Sequence, residues 1–334
     1  MISFLFSHNH ENYNKTQDIH YPLPNCRLLS AVSTVYLVLA SIFVSLSTIE
    51  EEEEEEEEEE VNSITLPKGM YIRKPIVLFG DSITQYAYGE EPSKIGWASL
   101  LSGSYQRRAD VLNRGFSGYN TRHALDLLPK LFPKNSNIDD DSSSTYLLPL
   151  FCTVFFGAND AALPPTPTNS DSGRQHVPKE EYAKNLEKIV LSIRERTGTK
   201  TSDDLLIIII TPPPVDEETW KTKLGLYDHY DRSNLITRDY GEVAKTVGSS
   251  LDCPVLDTWE LLCGNDLDIY KSHLSDGLHL SDSGNQLVYE GLMQIIKEKF
   301  PNLAPAEATD DDDDSCTGGI KGIQAEEALW TDLC

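Results

Sequence analysis

Three polar side chains of this sequence are of the types that catalyse acyl transfer. Ser82 follows a short apolar run, and Asp276 precedes His279 by three positions near the other end of the chain. A serine hydroxyl becomes an effective nucleophile when a base removes its proton. A carboxylate at this spacing can hold one ring nitrogen of the histidine while the other nitrogen faces the serine. These residues therefore predict a nucleophile, a base and an acid that orients the base.

Two further residues could stabilise the negative charge that develops on an acyl oxygen. The side-chain NH₂ of Asn159 could donate a hydrogen bond to that oxygen. Gly118 lacks a Cβ atom, so its backbone N–H could approach the same oxygen closely. With Ser82, Asp276 and His279, these residues complete the inventory of an acyl-transfer site.

Each of these residues also has a simpler explanation. A serine after a strand often caps a helix, Asn159 could be a turn residue, and Gly118 could merely permit a tight turn. Four other histidines compete with His279 for the role of base: His123, His176, His229 and His273. His273 is near in sequence but lacks a carboxylate at the three-residue spacing.

The chain alternates short apolar runs with helical segments. Residues 205–210 are six consecutive Leu and Ile residues, as expected of a strand that is buried on both faces of a parallel sheet. Further strands are predicted at 75–79, 109–112, within 146–156 and at 253–256. This alternation predicts an α/β fold, a three-layer α/β/α sandwich with a mainly parallel five-stranded sheet of the flavodoxin-like kind.

Three segments have the apolar spacing of helices that pack on such a sheet. The spacing predicts helices over 179–196, 233–247 and 283–300. In the first of these, one face carries Tyr182, Leu186, Ile189, Val190 and Ile193. In open parallel sheets, ligands bind beyond the carboxyl ends of the strands. Because Ser82, Gly118 and Asn159 each follow a predicted strand, we expect them to lie at the same edge of the sheet as His279.

Four blocks in this order resemble the GDSL, or SGNH, hydrolase superfamily. They are FGDSIT (79–84), the glycine in GFSGYN (115–120), GAND (157–160) and DGLH (276–279). The resemblance implies Ser82 as the nucleophile, His279 as the base and Asp276 as its partner. It also implies an oxyanion hole that consists of the backbone N–H groups of Ser82 and Gly118 and the side chain of Asn159. The expected reaction needs no metal ion and no organic cofactor.

Longer motifs are similar to the isoamyl acetate-hydrolysing esterase-like subfamily. They include RGFSGYNTRHALDLLP, FFGANDA, ITPPPVDEETW and SDGLHLSDSGN, and the similarity extends over about 71–301. It implies a serine esterase that acts on short-chain esters such as acetates, with a small ester and water as partners. A carbohydrate O-deacetylase or a thioesterase is the nearest alternative. Two further alternatives come from other functional classes. One is an inactive, membrane-tethered acidic binding module, and the other is a metal-dependent phosphodiesterase that uses Asp81 and Asp160.

The substrate pocket is expected to include Asp81, Trp97 and Ala158. Trp97 follows the nucleophile segment, and a place in the core is the alternative for its large side chain. Residues 215–234 are polar and carry Trp220 and Tyr227. This segment could form a lid over the site or a simple surface excursion.

The ends of the chain differ from the hydrolase domain predicted at 70–303. A leader (1–27) precedes an uncharged apolar segment (28–47), which at twenty residues is long enough to cross a bilayer. This segment could be a membrane anchor, a signal peptide or a core helix, or it could lie outside a protein that starts at Met70. The expected location is accordingly a membrane, the secretory pathway or the cytoplasm. An acidic linker (48–69) follows, and residues 304–334 form an acidic tail.

The formal net charge is −26, and much of it comes from runs of eleven carboxylates at 50–60 and five at 310–314. Such runs cannot bury apolar area and are expected to stay solvated. Without a cluster of Lys and Arg, nucleic acid is excluded as a partner. The six cysteines form no CxxC pair, so a structural zinc site is not expected. The sequence leaves open whether Cys253 and Cys263 pair, and the oligomeric state.

Overall fold

The structure, a computed structural model, describes residues 73–90, 94–134, 148–166, 172–226, 228–264 and 268–305. The chain divides into two units, Met1–Lys68 and Gly69–Cys334, and the described residues all belong to the second. The predictions for the leader, the apolar segment at 28–47, the acidic linker and most of the C-terminal tail lie outside the described residues, as does Tyr227.

One parallel sheet organises this unit. Its strands are β1 (Pro75–Gly80), β2 (Asp110–Gly115), β3 (Phe151–Phe155), β4 (Leu206–Ile210) and β5 (Val255–Leu256). They lie in the order β2-β1-β3-β4-β5, and every neighbouring pair is parallel. The predicted five-stranded parallel sheet is confirmed.

β4 is apolar on both faces because both faces are covered. Leu206, Ile208 and Ile210 contact the core on one side of the sheet, and Ile207 and Ile209 contact the core on the other. All of them are at most 2% exposed. Since burying one such side chain contributes roughly 1.5–3 kcal/mol, this strand holds the two helical layers to the sheet.

Helices cover both faces of the sheet. They are α1 (Ser82–Gln85), α2 (Trp97–Ser104), α3 (Thr121–Leu131), α4 (Lys179–Thr197), α5 (Glu217–Leu224), α6 (Asn234–Ser250), α7 (Thr258–Cys263) and α8 (Asp282–Lys299). Buried side chains of α2, α7 and α8 belong to one core, and those of α3, α4 and α6 belong to the other. The fold is therefore the predicted three-layer sandwich.

The apolar face of α4 is the one that the sequence predicts. Tyr182, Leu186, Ile189, Val190 and Ile193 are all fully buried. The helix ends at Thr197 because the next residue, a glycine, adopts a left-handed conformation that the other residues rarely adopt. The predicted helices at 233–247 and 283–300 correspond to α6 and α8, with boundaries that differ by one to three residues.

β2 continues beyond its predicted end. The apolar run stops at Leu112, whereas the strand extends through Asn113 and Arg114 to Gly115. β2 is one of the two edge strands of the sheet, and none of its residues is fully buried. Polar side chains are therefore tolerated there, and a pattern of apolar residues ends too early.

The three cysteines of the described residues are free thiols, Cys152, Cys253 and Cys263. Cys253 lies in the core that contains α4, and Cys263 lies in the core that contains α8. The sheet therefore separates the two cysteines, and they do not pair.

Candidate active site

Ser82 is the first residue of α1, directly beyond the carboxyl end of β1. Asp81 caps this helix, because its Oδ1 accepts a hydrogen bond of 3.0 Å from the backbone N–H of Ile83. The sharp change from strand to helix holds the Ser82 side chain at the edge of the sheet. Ser82 is 5% exposed, so its hydroxyl is largely shielded from water.

Asp276, His279 and Ser82 form one hydrogen-bonded chain. Oδ2 of Asp276 lies 2.9 Å from Nδ1 of His279, and Nε2 of the same ring lies 2.8 Å from Oγ of Ser82. An ionised carboxylate only accepts hydrogen bonds, so Nδ1 carries the ring proton and Nε2 is left as the acceptor. This is the tautomer in which the imidazole can take the proton of the serine hydroxyl.

The backbone around Asp276 stabilises its ionised form. Its Oδ1 accepts the N–H groups of Leu278 and His279, at 3.1 and 2.9 Å. Burial by itself would raise the pKa of Asp276, but the hydrogen bonds from the His279 ring and from these two N–H groups lower it to about 2. Asp276 is therefore a fixed anion next to the imidazole.

Two aromatic rings flank the imidazole of His279. Tyr86 lies edge-on to it with ring centroids 5.3 Å apart, and Trp220 does so at 5.7 Å. Trp220 lies on α5, within the segment 215–234 for which the sequence predicts either a lid or a surface loop. The N-terminus of α5 contacts the histidine loop directly, because Asp216 N–H donates to the carbonyl of Gly277 at 2.8 Å.

Gly118 and Asn159 lie beyond the ends of the strands on either side of β1. Asn159 Nδ2 donates to the carbonyl of Tyr119 at 2.8 Å, which brings the two loops together. Gly118 has a φ of 79°, a left-handed conformation that favours glycine. Within the described residues, no protein acceptor takes the backbone N–H of Ser82 or of Gly118. These donors remain available to a substrate oxygen.

The three residues expected in the substrate pocket are all buried. Asp81 caps α1, and Ala158 accepts a hydrogen bond from Arg232 through its carbonyl. Trp97 is fully buried against Phe155, so it belongs to the core, which was the alternative for it. The pocket beside His279 is instead bordered by residues of α1, the loop before α2 and the start of α8, among them Ile83, Tyr86, Gly96, Leu280 and Asn285.

Two further carboxyl groups are buried beneath the site. Burial raises the pKa of both Asp81 and Asp160 to about 7. Asp160 accepts hydrogen bonds from the backbone and hydroxyl of Thr121. In the described ranges, no group of three or more His, Cys, Asp and Glu side chains could hold a metal ion.

Three of the four competing histidines have contacts elsewhere. Nδ1 of His123 accepts the backbone N–H of Asn120 in a capping box, His176 contacts the carbonyl of Ala162 and His273 contacts Ser283.

Among the helices that the structure describes, none is long and apolar enough to cross a membrane, and residues 28–47 lie outside that set.

Arg232 is the residue of this site that sequence reasoning missed. It lies just before α6, is 2% exposed, and its guanidinium contacts Asn159. It stands in the polar stretch DHYDRSN, whose composition is typical of a surface loop. No local pattern marks an arginine as buried, because its partners Ala158, Asn159 and Gln175 come from distant parts of the chain.

Several known proteins resemble this chain. Residues 78–287 match the GDSL-like Lipase/Acylhydrolase family. A human protein named isoamyl acetate-hydrolyzing esterase 1 homolog is 36% identical over 229 residues, which cover 68% of this chain and 83% of the relative. A GDSL esterase/lipase of Arabidopsis thaliana is 37% identical over 242 residues, or 71% of this chain and 90% of the relative. A solved lipase/acylhydrolase from Enterococcus faecalis is 26% identical and covers 67% of this chain and 95% of its own, with a TM-score of 0.48.

The chain therefore belongs to the GDSL-like lipase/acylhydrolase family and is a carboxylic ester hydrolase. Within that family, it is similar to proteins named isoamyl acetate-hydrolyzing esterase 1 homolog from human, cattle and mouse, so the resemblance to this subfamily is confirmed.

Proposed function

We propose that this protein hydrolyses short-chain carboxylic esters, such as acetates, through an acyl-enzyme on Ser82. The single observation that carries the proposal is the hydrogen-bonded chain from Asp276 through His279 to Ser82, with distances of 2.9 and 2.8 Å. The name of the human relative, an isoamyl acetate-hydrolyzing esterase homolog, supports an acetate ester as substrate. The pocket beside the base is bordered by Ile83, Tyr86 and Leu280 and also by the charged residues Glu90, Lys94 and Asp282, so it offers a small ester both apolar and polar contacts.

The first half of the reaction forms the acyl-enzyme. Oγ of Ser82 attacks the carbonyl carbon of the ester while Nε2 of His279 takes the hydroxyl proton. The carbonyl oxygen becomes an anion and receives hydrogen bonds from the N–H groups of Ser82 and Gly118 and from Asn159. The bond to the alcohol oxygen then breaks, and His279 gives its proton to the leaving alcohol.

Water completes the cycle. It attacks the acyl carbon while His279 takes one of its protons, and the same three donors stabilise the second oxyanion. The bond to Oγ breaks, the proton returns to Ser82, and the carboxylic acid leaves. Asp276 keeps its charge throughout and stabilises the imidazolium that forms twice in each turnover.

Probe labelling combined with an ester panel tests this proposal. We expect the full-length protein to hydrolyse short-chain acetates and to react with a fluorophosphonate probe, and Ser82→Ala to lose both properties while it stays folded. Ser249→Ala is the matched control, since this serine lies on α6 and contacts only its own helix. Full activity of Ser82→Ala would exclude the mechanism. A preference for acylated sugars or acyl-CoA would assign the substrate to one of the alternative classes.

We also propose that residues 28–47 attach the enzyme to a membrane. Twenty uncharged residues suffice to span the hydrocarbon layer, and the following acidic run would stay in water. We expect the full-length chain to remain with membranes after alkaline extraction, and a chain that starts at Met70 to be soluble. A soluble full-length chain that still contains residues 28–47 would contradict this.

A further inference from the structure

Arg232 is a buried charge whose five N–H donors all have an acceptor. Its Nε donates to the carbonyl of Ala158 at 3.1 Å, and Nη1 donates to the carbonyl and the carboxylate of Asp231, at 3.2 and 2.7 Å. Nη2 donates to Oδ1 of Asn159 at 3.3 Å and to Oε1 of Gln175 at 2.7 Å. A buried guanidinium is tolerated only when it is paired and hydrogen-bonded. This one has both kinds of partner, and one of them, Asn159, belongs to the proposed oxyanion hole.

The contact with Asn159 decides how its amide is oriented. A guanidinium can only donate hydrogen bonds, so the atom that faces Arg232 must be the amide oxygen. The amide nitrogen then points the other way, where one of its hydrogens goes to the carbonyl of Tyr119. The second hydrogen remains for the substrate oxygen. If the amide were reversed, it would present an oxygen to the oxyanion and repel it.

The side chain of Gln175 connects Arg232 to Gly118 by hydrogen bonds. Its Oε1 accepts from Arg232, while its Nε2 donates to the carbonyl of Gly118 at 3.1 Å. The backbone of Gln175 is held in turn by Asn120, whose Nδ2 donates to its carbonyl at 2.9 Å. Arg232 is thus connected to Asn159 directly and to Gly118 through one side chain.

We propose that Arg232 is a positioning residue that preorganises the oxyanion hole, by orienting the Asn159 amide and by holding the Gly118 loop through Gln175. The inference rests on the proposed function. Donors that are already aimed at the developing charge stabilise the transition state without reorganisation, whereas donors that must first rotate lose part of that effect. Losing Arg232 should therefore lower kcat far more than it raises KM.

The test compares Arg232→Lys with a matched control in the full-length protein. Lysine keeps the positive charge next to Asp231 but has no fork that could reach Ala158, Asn159 and Gln175 together. We expect kcat to fall about 10- to 100-fold, less than the 10²- to 10³-fold expected on loss of an oxyanion donor itself. KM for an acetate ester should stay within about two-fold. The affinity for butylboronic acid, which forms a tetrahedral anion on serine, should fall in parallel with kcat.

Arg194→Lys is the control for burying a lysine in place of an arginine. Arg194 is also buried, but it contacts Ser202, Leu251 and Cys253 at the amino ends of the strands, away from the site. We expect this variant to lose thermal stability without any loss of kcat. An equal loss of kcat in both variants would overturn the inference, because it would reflect a general effect on folding.

A double-mutant cycle with Asn159→Ala shows whether Arg232 acts through the amide. If it does, Arg232→Lys should lower kcat by less than about three-fold once Asn159 is absent, since only the Gly118 branch is left. An undiminished effect in that background would contradict the proposed route.

Gln175→Ala keeps the inference testable if Arg232→Lys does not fold, because Gln175 is only half-buried. Its kcat should fall about two- to three-fold with KM unchanged, since Gly118 alone is released and Asn159 keeps its contact with Arg232. Folded variants of both positions with wild-type kcat would overturn the inference while the esterase activity stands. A wild-type protein that cleaves no ester would instead refute the proposed function.

Discussion

Both carboxylate oxygens of Asp276 accept hydrogen bonds within the site. One oxygen accepts two backbone N–H groups of its own loop, and the other holds the ring of His279. A side chain tied at three points cannot rotate, so in the neutral imidazole the proton lies on Nδ1 and the nitrogen that faces Ser82 is the acceptor. The low pKa of Asp276, about 2, means that this carboxylate stays ionised far into the acid range.

Replacing Asp276 with Asn should lower kcat by about 10³- to 10⁴-fold. An asparagine can present its NH₂ group to the ring, which favours the tautomer with the proton on the nitrogen that faces Ser82. Steady-state rates on the best acetate ester measure the effect. Asp203→Asn, in an exposed turn, should leave the rate unchanged. A loss below ten-fold in a folded Asp276→Asn protein would mean that the carboxylate does not set the tautomer.

The rate should also fall on the acid side of neutrality. Only a neutral imidazole accepts the serine proton, and histidine side chains commonly titrate between about pH 5 and 8. Asp276 cannot cause a loss in that range, because with a pKa of about 2 it is ionised throughout. We expect kcat/KM to decrease as the pH is lowered from 8 to 5. A flat profile over this range, with the chemical step limiting, would argue against His279 as the base.

At the scale of elements, the histidine loop depends on α5. The backbone of Asp216 is bonded to Gly277, and Trp220 of the same helix packs against the His279 ring. Gly277 has a φ of 95°, and a Cβ atom there would lie 2.5 Å from the nitrogen of Trp220. Only glycine permits this close approach, so the helix and the loop between Asp276 and His279 have to be positioned together.

Gly277→Ala should therefore destabilise the protein by about 1–3 kcal/mol and lower kcat. The cost has two sources, the positive φ and the collision with α5. Gly198→Ala separates them, because Gly198 has a φ of 72° with nothing within 4 Å of a Cβ. Denaturant unfolding and ester hydrolysis measure both variants. We expect Gly198→Ala to lose some stability and no activity. The same kinetic loss in both variants would contradict the coupling of α5 to the site.

At the scale of the whole molecule, the site lies above a set of buried charges. Asp81 and Asp160 are almost fully buried beneath it, together with the ion pair of Asp231 and Arg232. Burial raises the pKa of Asp81 and of Asp160 from 3.8 to about 7. The folded protein thus retains protons that the unfolded chain releases near pH 4. The contribution of these groups to the free energy of unfolding is greatest below pH 4 and is lost as the pH rises to about 7.

Asp160→Asn should reduce this pH dependence. An asparagine stays neutral, so the decrease in the unfolding temperature between pH 5 and 8 should become smaller than in the wild type. The comparison isolates one carboxyl from the general repulsion of a chain with a net charge of −26. Asp228→Asn, an exposed site, should leave the slope unchanged. Identical slopes for the wild type and Asp160→Asn would show that Asp160 is ionised in the folded protein at neutral pH.

The sequence by itself determined the layers of the fold and the chemistry of its motifs. Apolar runs such as the one in β4 and the spacing along α4 depend on local periodicity, which any segment carries in its own residues. The same holds for Asp276 and His279, because three positions on one tight loop bring them together. Ser82, Gly118 and Asn159 were found by their positions after strands, since parallel strands end at a common edge.

Only the tertiary structure decided which distant residues meet. It placed Ser82 within 2.8 Å of a ring that is 197 positions away, buried Trp97 in the core, and extended β2 through polar residues at the edge of the sheet. It also enclosed Arg232 among groups from separate loops, although its neighbours in sequence are polar. The physical reason is that burial and long-range hydrogen bonds arise from packing between segments. The residues of one segment do not by themselves specify which other segments will pack against it.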